Sequence, residues 1–146
     1  MSETTVPLSQ PLSQPLYGAT FGQAVQRFFA KYATASGRAS RSEYWWAVLV
    51  IALINIVFSI ALGVAGGFTP NADGTVNLTG GAIAVIVVWG IIYLGLIIPL
   101  IAVSVRRLHD ANFSGFFYLL SFVGLSIVVF ILTLLPSKPE GARFDA

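Results

Sequence analysis

Three long stretches without a charged residue constrain this chain more than any other feature of its sequence. They run from Tyr44 to Ala72, from Gly74 to Val105 and from Ala111 to Ser137. Their apolar cores cover residues 45–67, 82–105 and 116–135, and a membrane-spanning helix needs about 20 apolar residues. None of the three shows the polar face expected of a helix in a soluble bundle. The sequence therefore predicts three transmembrane helices.

The composition supports a membrane protein and excludes several other classes. Only 10% of the 146 residues are charged, whereas about 25% is typical of a soluble domain. The absence of cysteine excludes disulfides, thiolate catalysis and cysteine-ligated metals. A net charge of +2 is too small for an extended nucleic-acid surface. We therefore expect no nucleic-acid partner and no cofactor.

The segment before the first apolar stretch divides into two parts. Residues 1–20 contain the repeat PLSQPLSQPL, whose prolines disfavour helix and sheet, so a disordered tail is predicted. Residues 21–35 place aromatic side chains on one helical face and basic ones on the other, which is typical of a helix lying in the membrane interface. The predicted fold class is thus all-α, with an interfacial helix preceding three spans in one membrane domain over residues 21–146.

Basic residues near the ends of spans predict the orientation in the membrane. Six of them fall on one side of a three-span arrangement and two on the other. The six are Arg27, Lys31, Arg38, Arg41, Arg106 and Arg107, and the two are Lys138 and Arg143. We expect a cytoplasmic N-terminus and a C-terminus outside.

A stripe of small and polar residues in the first apolar stretch predicts helix packing. Asn55, Ser59, Gly63 and Gly67 are spaced by four and share one helical face. Small residues allow two backbones to approach closely, and an amide is too polar to face lipid. These four residues are therefore assigned to contacts between helices.

Two charged clusters flank the apolar stretches and supply the candidate site residues. These are Arg38, Arg41, Glu43, Arg106, Arg107, His109 and Asp110. Three roles remain open for them: membrane anchoring, internal ion pairing and binding of lipid headgroups or other phosphate ligands. Under the pairing hypothesis, Asp110 binds Arg38 or Arg41, and Glu43 binds Arg106 or Arg107.

Catalytic interpretations of the same residues are weaker. His109, Asp110 and Ser114 do not have the spacing of a hydrolase triad, because neighbouring residues on a helix do not face each other. One histidine and scattered carboxylates do not make a metal site. Ser114 instead precedes an apolar run and is predicted to cap the next helix.

Two motifs in these clusters resemble a bacterial family, the domain of unknown function 805 family of small inner-membrane proteins. The first is Gly37-Arg38-x-x-Arg41-x-Glu43-Tyr44-Trp45, and the second is Arg106-Arg107-Leu108-His109-Asp110-x-x-x-Ser114-Gly115. This chain has Phe116-Phe117 where that family usually has tryptophan. The resemblance covers about residues 20–145; it implies a multi-pass protein of the bacterial plasma membrane and no particular activity.

These observations together predict a protein that is not an enzyme. The expected role is that of a scaffold, an accessory protein or a protein associated with anionic lipids, with membrane lipids as partners. The alternative is a transport or channel component. Three helices are too few to enclose an aqueous pore, so this alternative requires a homo-oligomer.

Overall fold

The computed structural model describes residues 10–67 and 70–145, which form four α-helices and two 3-10 helices. The α-helices are α1 (Phe21–Ala30), α2 (Arg41–Val64), α3 (Gly80–Asp110) and α4 (Ser126–Leu134). The 3-10 helices cover Gly115–Val123 and Pro139–Phe144. Within the described ranges there is no β-strand, only an isolated bridge between Pro70 and Val76. This confirms the predicted all-helical class.

The chain divides into two compact units. The central unit is Val48–Ile98, and the terminal unit consists of the described residues up to Ala47 together with those from Pro99 onward. All eight lysines and arginines belong to the terminal unit, because the sequence from Val48 to Ile98 contains none. The basic residues of the chain are therefore confined to one unit.

Helices α2 and α3 are the two candidate membrane spans. They contain 24 and 31 residues, which corresponds to about 36 and 46 Å of helix against a hydrocarbon core of about 30 Å. Only 6% of the most apolar window of each helix is buried within the protein. A core helix of a soluble protein would be mostly buried, so their apolar surfaces need another apolar environment.

The third apolar stretch does not form the single helix predicted over residues 116–135. Its first half is the 3-10 helix Gly115–Val123, and its second half is α4, with only nine residues. Gly124 separates them in a left-handed conformation with φ +83°, which an α-helix cannot contain. At about 1.5 Å per residue α4 reaches about 14 Å, which is too short to cross a bilayer.

The four residues of the predicted packing stripe have different surroundings in the central unit. Asn55 contacts the other helix, because its Oδ1 accepts a hydrogen bond of 3.3 Å from Trp89 Nε1. Ser59 lines a cavity of about 230 Å³ beside the same tryptophan. Gly63 is exposed, and Gly67 lies beyond the end of α2, where an added Cβ would meet Leu62 of its own segment.

The N-terminal segment is packed wherever the structure describes it. The predicted disordered tail covers residues 1–9, which lie outside the described residues, and residues 10–20, where the prediction is wrong. Pro15 and Leu16 are buried, and the carbonyl of Ser13 accepts a hydrogen bond of 2.9 Å from the N–H of Arg38. Helix α1 follows at Phe21 and ends at Ala30, five residues before the predicted end. Its contact with a membrane stays a prediction.

Candidate functional site: a buried ionic cluster

Glu43 forms one centre of the cluster. Residues Ser40 and Glu43 make a capping box at the start of α2: the carboxylate accepts from Ser40 N at 2.9 Å, and Ser40 Oγ accepts from Glu43 N at 3.2 Å. The same carboxylate accepts from Leu16 N at 2.9 Å and from Arg27 Nε at 2.6 Å. The predicted pairing of Glu43 with Arg106 or Arg107 is therefore wrong. The capping box fixes the carboxylate of Glu43 at the start of α2, and Arg27 of α1 is its ion-pair partner there.

Asp110 forms the second centre and is fully buried. Its carboxylate binds Arg107 Nη1 at 2.5 Å and accepts from Tyr17 Oη at 3.0 Å and from Ser137 Oγ. Arg38 Nη1 lies 3.8 Å away, which confirms one of the two predicted pairings. The described residues show no hydrogen bond or ion pair for the other predicted pairing, that of Asp110 with Arg41.

Two arginines satisfy the carbonyl groups at the end of α4. Arg107 donates from Nε to Thr133 O at 3.1 Å and from Nη2 to Leu135 O. Arg41 donates from Nε to Leu135 O at 3.2 Å and from Nη2 to Leu134 O. Terminal carbonyls have no partner within their own helix, and water is scarce in an apolar environment. Both arginines therefore have a structural role that the sequence analysis did not assign.

The C-terminal segment is bound to the N-terminal half of the terminal unit. Arg38 makes two hydrogen bonds of 2.7 Å to the carboxylate of Asp145, and these raise the pKa of its guanidinium. The N–H of Gly37 donates to Phe144 O at 2.9 Å. These contacts hold residues near the two ends of the chain together. The predicted placement of the two termini on opposite sides of the membrane stays a prediction.

Gly37 is required at its position in the first motif. Its φ of +82° lies in the left-handed region, and a Cβ there would lie 2.6 Å from Ser13 O and 2.9 Å from Ser13 Cα. The carbonyl of Gly37 also accepts a hydrogen bond of 3.0 Å from His109 Nδ1. This contact joins the first sequence motif to the second.

His109 lies between this contact and an apolar groove. Its ring stacks on Phe144 with centroids 4.1 Å apart. The groove has a volume of about 460 Å³ and is lined by Ile101, Val105, His109, Ser114, Gly115, Phe116, Tyr118, Leu119 and Phe122. Ser114 caps the following 3-10 helix by accepting from Phe116 N, as predicted. His109, Asp110 and Ser114 each bind different partners and do not assemble as a triad.

Two further cations are buried without an ion-pair partner among the described residues, although Arg106 Nε donates to Ala102 O at 3.2 Å. Lys31 is 4% exposed and Arg106 is 1% exposed, yet Lys31 Nζ and Arg106 Nη2 have no hydrogen-bond partner among the described residues. Burial, together with the positive charges of Arg106 and Arg27, lowers the pKa of Lys31 to about 8. Lys31 and Arg27 are not among the predicted site residues. Their i, i+4 spacing and the capping box at Glu43 were the signals available in the sequence.

Comparisons with known proteins agree with the assignment of this chain to the membrane. The family described as "Protein of unknown function (DUF805)" matches residues 32–146. The inner membrane protein YhaI of Escherichia coli K12 is 30% identical over 107 residues, covering 70% of this chain and 76% of YhaI. The inner membrane protein YhaH of the same organism is 34% identical over 103 residues, covering 67% and 74% of the two chains. No solved structure matches.

Proposed function

This chain belongs to the DUF805 family of membrane proteins of unknown function, and on that premise we propose that it is a non-enzymatic accessory or scaffold protein that associates with anionic lipids. One observation carries the proposal. An exposed apolar surface and exposed basic residues adjoin each other within the terminal unit. Basic side chains beside an apolar surface are typical of proteins that rest in the headgroup region.

The apolar part of this surface comes from the third charge-free stretch. Phe116, Phe122 and Val123 are 80%, 71% and 70% exposed. Smaller exposed fractions follow at Leu119, Leu125, Ile127, Phe130 and Ile131. Because the segment is broken at Gly124, it suits insertion into one leaflet better than a crossing.

The basic part comes from residues next to the end of α4. Arg41 and Lys138 are exposed, and Arg41 contacts the last carbonyls of that helix. Arg143 is also exposed and lies over the ring of Phe144, 4.6 Å from its centroid. Each basic residue near an anionic surface contributes about 1 kcal/mol. Of the predicted headgroup candidates we therefore keep Arg41, and we add Lys138 and Arg143.

Lipid retention tests this proposal directly. The full chain is placed in nanodiscs of mixed phosphatidylglycerol and phosphatidylcholine, and the retained lipid is measured by native mass spectrometry. We expect enrichment of phosphatidylglycerol, and we expect Lys138→Gln combined with Arg143→Gln to reduce it several-fold. Glu140→Gln is the matched control, because it changes an exposed charge of opposite sign in the same 3-10 helix. Equal enrichment in all three proteins would contradict the proposal.

An oligomeric transport component is the second candidate, and a feature of α2 favours it. Ser59 and Gly63 are exposed on a candidate span, and polar or small residues in lipid favour contact with another helix. The same spectra report the copy number. If the protein is an oligomer held by this face, Ser59→Leu shifts it toward the monomer.

The number of spans and the orientation of the chain are part of the same proposal, and they rest on the basic residues of the terminal unit. We place two spans, α2 and α3, in the inner membrane, with both ends of the chain in the cytoplasm. The support is the distribution of charge, since all eight lysines and arginines then lie on one side.

A further inference from the structure

Lys31 and Arg106 approach the same short segment of backbone from two helices. Lys31 caps the end of α1, and a Cβ at Gly37 would lie 3.1 Å from its Nζ. The carbonyl of Arg106, near the end of α3, accepts a hydrogen bond of 3.0 Å from Ala39 N. The charge of Arg106 acts on Lys31. Lys31 Nζ therefore lies beside residues 37–39, and the charge of Arg106, whose backbone binds the same segment, is close enough to act on it.

The neighbouring charges do not neutralise these two cations. Arg27 and Glu43 form an ion pair with each other at 2.6 Å. Asp145 also acts on Lys31 but is paired with Arg38 at 2.7 Å. Among the residues that the structure describes, an excess of two positive charges therefore remains inside the terminal unit. Burying a charge without a partner costs free energy. The exposed lipid-association surface does not reduce this cost, because it does not supply a negative charge to the two buried cations.

We propose that Lys31 and Arg106 form an internal binding site for a phosphate group. A phosphate carries up to two negative charges, which match the excess, whereas a carboxylate carries one. Its oxygens can accept from the ammonium of Lys31 and from the free Nη2 of Arg106 together. Residues 32–36, which follow Lys31 directly, are exposed, and we expect the phosphate to enter from their side. This site is separate from the exposed basic surface and does not depend on it.

Binding is measured first with inorganic phosphate on the full chain in uncharged detergent. Phosphate and chloride buffers of equal ionic strength are compared at pH 7 by calorimetric titration and by thermal unfolding followed through tryptophan fluorescence. We expect saturable binding of one phosphate per chain and a higher Tm in phosphate. Absence of both effects, together with no binding of the lipid probes below, would overturn the proposal.

A pair of lysine variants separates this site from general attraction to the surface. Lys31→Met should weaken phosphate binding at least tenfold and abolish the phosphate-dependent rise in Tm. In chloride, it should raise the Tm, because it removes an unpaired buried charge. Lys138→Met, which removes the same charge from an exposed lysine of the lipid-association surface, is the matched control and should weaken the binding of inorganic phosphate far less than Lys31→Met does. If both variants weaken binding equally, the attraction is non-specific and the internal site is wrong.

The pH dependence provides a test on the unmodified protein, in case Lys31→Met does not fold. Sulfate is the probe, since its two charges do not change between pH 7 and pH 9. The charges that act on Lys31 are those of Arg106, Arg27, Glu43 and Asp145. With a pKa of about 8, roughly one tenth of Lys31 is protonated at pH 9. Sulfate affinity should therefore fall about tenfold, and an unchanged affinity would contradict the proposal.

Two lipid probes distinguish the sources of the phosphate group. Short-chain phosphatidic acid presents a phosphomonoester on a lipid, and phosphatidylglycerol presents only a phosphodiester. If the natural ligand is a headgroup, phosphatidic acid competes with inorganic phosphate and binds more tightly. If it is free phosphate or a soluble phosphomonoester, neither lipid competes. Should phosphate bind only after Glu3→Gln, the counter-ion is a carboxylate of the chain itself and the proposal is wrong.

Discussion

At the scale of single residues, the sequence predicts that the charged clusters bind each other but not which partners they choose. Arg38 and Asp110 are correctly paired. The partner of Glu43 is predicted incorrectly. Glu43 is the third residue of α2 and caps that helix together with Ser40, and this fixes the direction of its carboxylate. That motif is visible in the sequence. The partnership of Arg27 with Glu43 depends on how the N-terminal segment folds back, and spacing along the chain does not reveal this.

Asp110→Asn should be strongly destabilising. The carboxylate is buried and binds buried Arg107 at 2.5 Å, and the substitution leaves that guanidinium without its counter-charge. Removing one partner of a buried pair costs about 3–5 kcal/mol. Thermal unfolding in detergent measures the loss. Asp73→Asn is the control, since Asp73 is exposed and bonds only within its own turn to Thr75; a loss of Tm as large there would refute the argument.

At the scale of helices, apolar length predicts α2 and α3 to within a few residues at most ends, because a long apolar run has few other structures available. The same criterion fails for residues 116–135. Apolar content is the same for one spanning helix and for two short segments, so it does not show that the chain breaks at a single glycine. Gly124 takes a left-handed conformation, and Arg41 and Arg107 supply the donors that end α4 early. Neither arginine is close to α4 in sequence.

Gly124→Ala should therefore destabilise the protein by about 1–2 kcal/mol, because an alanine is strained at positive φ. No atom lies within 4 Å of the added Cβ, so the effect reports backbone conformation and not a clash. Gly90→Ala is the matched control: it is equally free of contacts but lies inside α3. There alanine should raise the Tm slightly, since glycine is the poorer helix former. A continuous helix through residue 124 would instead make both substitutions stabilising.

At the scale of the whole molecule, the sequence predicts a membrane protein correctly, but it does not predict which distant segments meet. The proposed two spans differ from the predicted three because the third apolar stretch is broken at Gly124, and only an even number of spans leaves both termini on one side. Contacts of Arg38 with Asp145 and of Gly37 with Phe144 cross more than 100 positions of sequence. No local pattern predicts such contacts. Under the proposed two-span arrangement, all eight lysines and arginines lie on one side, whereas the predicted three spans divide them six against two.

Labelling of single cysteines tests this two-span arrangement, and the chain has no cysteine to remove. Gln26, Asn77 and Glu140 are exposed positions before α2, between α2 and α3, and after α4. In intact cells an impermeant maleimide should label Asn77→Cys alone, and permeabilised cells should allow labelling of all three. Because cytoplasmic segments concentrate lysine and arginine, labelling of both Gln26→Cys and Glu140→Cys without Asn77→Cys would reverse the orientation but keep two spans. Labelling of Asn77→Cys and Glu140→Cys without Gln26→Cys would restore three spans and contradict the contact between Arg38 and Asp145.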